Sequence, residues 1–132
     1  MGAIGSFGKV IRFEVNANKV LTFKDMKRTV SARWKKHDIV QKKPKSEFMG
    51  PDTDEITIKI TLSAEHGVKP RKTLEAIEKA IKKGQVEYFI VGGKKVGTNK
   101  YYIETMSEDW EEIWNKGELV RASGSITFTE YT

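Results

Sequence analysis

An α+β fold is what this sequence predicts: one domain over residues 1–132, with six or seven strands around a single main helix. Three observations lead there. From Glu55 to Ser63, Ile56, Ile58, Ile60 and Leu62 alternate with Thr57, Lys59 and Thr61, the period of a half-buried strand. From Pro70 to Lys83, Leu74, Ile77 and Ile81 recur at three and four residues, the period of an amphipathic helix. Elsewhere, short runs rich in β-branched and aromatic residues are punctuated by glycine, as expected of antiparallel strands.

Taken in order, the Gly-rich start (Gly2, Gly5, Gly8) leads into a strand from Lys9 to Val15, with Val10, Ile11 and Phe13 as inward candidates. Asn16-Ala17-Asn18 is turn chemistry, and Val20 to Phe23 suggests a short partner strand. Met26, Val30, Ala32 and Trp34 share one parity, so Met26–Trp34 reads as a strand, with a helix left open because Arg28 breaks the alternation. Lys36 to Pro51, with its prolines, glycine and lysines, is expected to be a long mobile loop, and such loops in compact domains tend to be functional.

Pro70 suits the first turn of the main helix (about 70–83), and Gly84 follows Lys82 and Lys83 where a left-handed cap belongs. Val86–Val91 and Lys100–Met106 read as strands of a hairpin joined through Gly92-Gly93 and Gly97. Ser107 can cap a short acidic helix (about 108–115) with Trp110, Ile113 and Trp114 as its apolar positions, closed by Gly117. A last strand runs from Leu119 to Tyr131.

Composition bounds the function. Thirteen aromatics argue for an ordered chain, yet apolar residues make only 38% of 132, so the core is thin. The absence of cysteine removes disulfides, thiolate nucleophiles and Cys-ligated metals, and suits a reducing cytosol. No stretch reads as a signal peptide or a membrane span.

The two histidines, His37 and His66, have no partner at the spacing of a triad or a metal site, and both read as ordinary surface residues. The carboxylate pairs Asp52/Asp54 and Glu111/Glu112 read as solvated acids, and Asp52-Thr53-Asp54-Glu55 lacks the glycine of a calcium loop. Gly92-Gly93-Lys94-Lys95 lacks the spacing and the following helix of a phosphate loop. No catalytic residue, cofactor, metal, small-molecule substrate or membrane partner is expected.

Charge distribution says more than the net +6. Lys24–Lys45 holds nine basic residues against two acids, whereas Glu104–Glu118 holds six acids against one lysine. The basic run, with Phe23, Trp34 and Phe48 interleaved, admits nucleic-acid binding as an alternative. The acidic segment on the same chain favours self-assembly, since a head-to-tail contact would bring the two together.

The order of motifs resembles the GpU family of tail proteins from contractile-tailed phages and phage-tail-like bacteriocins. The residues that carry the resemblance are Ile4-Gly5-Ser6-Phe7-Gly8, the basic-aromatic run Arg28–Trp34, Pro44 with Phe48-Met49-Gly50, and the strand Ile56–Leu62. They continue through Gly67, the helix Pro70–Lys83, Val86–Gly93, Gly97, and Gly117 with Phe128 and Tyr131. A departure is Thr98-Asn99, where many relatives carry an aromatic. The resemblance implies a tail-tube-like β-sandwich or barrel.

It also implies a six-membered ring at an end of the tail tube, as tube initiator or baseplate adaptor, or as tail terminator. Partners would be copies of itself and adjacent tube or baseplate hub proteins, in a virion or bacteriocin tail assembled in the bacterial cytoplasm. Candidate interface residues are the basic-aromatic set Arg33, Trp34, Lys35, Lys36, Phe48 and Met49, and the acidic set Glu108, Asp109, Glu111 and Glu112.

Overall fold

The computed structural model describes residues 2–15, 20–21, 23–114 and 117–132. Twelve strands and one α-helix follow one another among them: β1 (Gly2–Phe7), β2 (Ile11–Val15), β3 (Val20–Leu21), β4 (Phe23–Thr29), β5 (Ala32–Ile39), β6 (Lys42–Pro51), β7 (Glu55–Ser63), α1 (Pro70–Lys83), β8 (Val86–Glu87), β9 (Phe89–Val91), β10 (Lys94–Lys95), β11 (Tyr101–Trp114) and β12 (Glu118–Glu130). The expected turn at 16–18 lies outside the described residues.

Two antiparallel sheets form the body, in the orders β10-β9-β1-β2-β3 and β4-β7-β12-β11-β8. The chain crosses between them twice within a residue or so: from β3 to β4 on one side, and from β8 to β9 across Tyr88 on the other. These corners make the sandwich barrel-like, the architecture expected. The inward residues of both sheets form one core. Its centre is a run of phenylalanines: Phe7 against Phe128 (5.0 Å between ring centroids), Phe128 against Phe89 (4.8 Å), Phe89 against Phe23 (6.2 Å), and Phe23 against Phe13 (4.7 Å). Most of these contacts are edge-on, the arrangement the ring quadrupole favours.

The strand at Glu55–Ser63 alternates as its sequence demands, with Ile56, Ile58, Ile60 and Leu62 all buried. The helix occupies Pro70–Lys83, with Pro70 in its first turn and Gly84 in the left-handed conformation at its end (φ 66°). Its apolar stripe, Leu74, Ile77 and Ala80, packs on β11 and β12 of one sheet and β2 of the other, so α1 braces both.

Several expectations are corrected. The Gly-rich start is strand β1, held between β2 and β9. A Cβ at Gly5 would lie 2.5 Å from the Ile90 carbonyl oxygen, so glycine is needed there for close strand approach. Met26–Trp34 is extended, but split between β4 and β5. Val86–Val91 divides at Tyr88 into one strand of each sheet. β8 pairs with β11 as a hairpin reading requires, while Gly92-Gly93 (φ 63° and 80°) turns β9 onto β10.

The loop expected at 36–51 is instead the greater part of the hairpin β5–β6. Its alternation is masked by register shifts at Arg33/Trp34 and His37/Ile39, and its Pro44 is tolerated because each arm strand has an open edge. The short acidic helix at 108–115 is also overturned: residues up to Trp114 continue β11. Trp110, Ile113 and Trp114 have helical spacing, but register shifts at Trp110/Glu112 and Glu112/Ile113 produce that spacing within a strand. Pairing with β12 across the whole segment outweighs weak local propensity.

Replacing Phe128 by alanine should cost about 3–5 kcal/mol in a urea titration, because its ring joins both sheets. Gly5→Ala should cost about 1–3 kcal/mol by the same measurement, since the atom it meets is backbone.

Candidate subunit interface

The β5–β6 hairpin stands apart as a third, two-stranded sheet, and nearly every residue of it is exposed. Strand pairing places Trp34 opposite Phe48, Lys35 opposite Glu47 and Lys36 opposite Ser46. The two rings meet edge-on at 5.1 Å, yet Trp34 stays 61% and Phe48 56% exposed. Val40 at the tip and Met49 are exposed too. All six basic-aromatic candidates therefore come together on one arm, with the Arg33 guanidinium reaching the Met49 carbonyl at 3.4 Å. The arm carries six basic residues against Asp38 and Glu47. His37 Nε2 lies 2.5 Å from a Glu47 carboxylate oxygen across the strands, which gives this histidine a structural partner.

A two-stranded hairpin alone is marginal in water, so the arm's root matters. There the Asp52 amide donates to the Ser31 carbonyl at 3.0 Å, and Arg28 pairs with Asp54 at 2.6 Å. The Asp54 amide donates to Glu130 Oε1 at 3.0 Å, and Asn99 Nδ2 donates to Glu130 Oε2 at 2.7 Å. Asp54, a solvated acid by its local sequence, is instead buried and paired, and its side chain anchors the root. Tyr101 is buried beside Arg28. Burial pushes its phenol above the ordinary value, and its proximity, followed by that of Asp54, pushes the guanidinium up as well.

The acidic set lies at the far end of β11. Glu108 Oε1 accepts from the Trp110 indole at 2.9 Å and Glu112 Oε2 from the Trp114 indole at 3.4 Å. Glu111 faces its own sheet, accepting from Ser123 at 2.8 Å and lying 3.4 Å from Arg121. Its charge is thus partly answered within the chain, whereas Asp109 has no such partner among the described residues. Trp110, Ile113 and Trp114 are 43%, 54% and 61% exposed. These apolar residues, named in the sequence only as helix positions, lie on the same strand, with Trp110 and Trp114 bonded to the Glu108 and Glu112 carboxylates. Within one chain no hydrogen bond, ion pair or ring contact joins the basic arm to the acidic strand among the described residues.

β11 also has an open side. β8 covers only Tyr101 and Tyr102, and from Ile103 to Trp114 no strand pairs with its outer edge among the described residues. Such an edge presents unpaired amides and carbonyls to another chain. No group of three or more histidines or acids able to hold a metal occurs among the described residues.

The sequence profile of the Phage P2 GpU family matches residues 10–132. The chain belongs to that family. It is a structural protein of a phage-type tail, and the GpU family is one of tail proteins and not of enzymes. No curated protein matches the chain. Among solved structures it is similar to a chain in the tail of an empty GTA particle with C6 symmetry, with 13% identity and a TM-score of 0.49, covering 83% of this chain and 78% of that one.

Arg28→Ala should cost about 1–3 kcal/mol in thermal or urea unfolding, because it strands the Asp54 carboxylate. Trp34→Ala in the free protein should shift stability by less than about 1 kcal/mol, because the ring is mostly exposed on the arm.

Proposed function

We propose that the chain forms a ring at an end of the tail tube, with the basic arm of one subunit seated on the acidic edge of the next. The observation that carries this reading is the arm. A stable fold has no use for a projecting hairpin that exposes Trp34, Phe48, Val40 and Met49, and a neighbouring subunit would cover them. The outer edge of β11 supplies a complementary surface in three respects: open backbone groups, exposed tryptophans and carboxylates. Arm and edge are different surfaces of one molecule, so their contact is heterologous, the kind that closes into rings. Six-fold closure, and a position as tube initiator, baseplate adaptor or terminator, follow from the family resemblance.

The nucleic-acid alternative gains less support. The basic run is divided between β4 and the arm, Arg28 is held by Asp54, and the arm's two rings pack against each other.

The test is mass across concentration by sedimentation, for the parent protein and for Asp109→Lys/Glu112→Lys, which spares Glu111 and its internal partner Arg121. Assembly should weaken by about tenfold or more in the variant and fall as salt rises past about 0.15 M. Unchanged assembly at moderate salt would remove the arm-to-edge contact.

A further inference from the structure

The helix has a second flank. On the first, Arg71 stacks over the Trp110 ring at 5.3 Å and α1 packs on β11 and β12. On the other, α1 faces the β1–β2 turn and β2 across an open groove of about 420 Å³. The groove runs on into a second hollow of about 320 Å³, and the two share Lys9, Val10 and Ala76 as lining.

Six basic side chains line this continuous groove: Lys9 and Arg12 from the strand side, and Lys69, Lys72, Lys79 and Lys83 from the helix. Among the described residues no carboxylate lines it. The helix does carry acids, but Glu75 and Glu78 are paired along its axis with Arg71 (3.5 Å) and Lys82 (2.8 Å). None of the five lysines has an ion-pair partner among the described residues. The floor is apolar, formed by Val10, Ala76 and the buried Ala80. Like charges held along a trough repel one another in the free protein, and a polyanionic occupant would relieve that.

We infer that this groove docks an extended, carboxylate-rich segment of a neighbouring tail protein. The lysines from Lys69 to Lys83 span about 21 Å of helix, the length of about six residues of extended chain. In such a segment alternate side chains point opposite ways, so small apolar residues can meet the floor while carboxylates turn to the lysine rims. A phosphate backbone would satisfy the lysines but has no apolar side to cover Val10 and Ala76, which favours a polypeptide. The groove lies on the flank of α1 away from β11, so the inference does not depend on the ring contact proposed above.

The probe is a fluorescent peptide of about eight residues alternating glutamate and alanine, titrated with the intact protein at low salt and read by anisotropy. Saturable binding should weaken about tenfold or more in Lys72→Glu/Lys79→Glu and by a smaller factor in Lys69→Ala/Lys83→Ala, while Trp34→Ala leaves it unchanged. These lysines are exposed, and circular dichroism checks that each variant remains folded. Absence of binding by the parent protein, equal binding by both lysine variants, or displacement of the peptide by a random DNA duplex at lower concentration would overturn the inference.

Discussion

Phe128 is the residue on which the two sheets depend. Its ring touches Phe7 and Phe89 of the opposite sheet, and through Phe89 and Phe23 the contact reaches Phe13. A chain with so modest an apolar share cannot spread its core thinly. It concentrates aromatic surface where the sheets face each other, and that run of rings sets the sheet separation. The two corners, β3 to β4 and β8 to β9, then have a fixed gap to cross, which is why each is so short.

Everything exposed is arranged around that body and contributes little to holding it. The β5–β6 arm rests on its own Trp34–Phe48 contact and on hydrogen bonds at its root. The end of β11 rests on its pairing with β12. Both leave tryptophan in water, a poor arrangement for an isolated molecule and a sensible one for a subunit. Opposite charge adds selection to this. Lysine-rich and carboxylate-rich surfaces repel their own kind, so an arm meeting an arm is disfavoured before any packing is tested.

The helix links these surfaces. Its apolar stripe spans both sheets, one flank supports the acidic strand through Arg71, and the other builds the basic groove. Its charges are sorted by position: acids paired along the helix, lysines left toward the groove. The Arg28–Asp54 pair has a similar positional logic. It sits where β4 ends and β7 begins, so the arm leaves the body from a fixed root.

The sequence by itself determined the elements whose period is unbroken. Glu55–Ser63 alternates without a bulge, and Pro70–Lys83 keeps helical spacing between a proline and a glycine, so both are read almost to the residue. The family was legible from the order of weak motifs, and the candidate interface residues were legible as charge and aromatic content. What they form was not. The arm looked like a loop and the acidic segment like a helix, because register shifts destroy period two locally. A bulge can be recognised only against a partner strand distant in sequence. Gly5 looked like a flexible start, since only the Ile90 carbonyl opposite it reveals a close approach. Asp54 looked solvated for the same reason: its partner Arg28 and its neighbour Glu130 are far away along the chain. Local pattern fixes a segment's state when its neighbours in sequence dominate its energy, and here cross-strand partners dominate wherever the strands are irregular.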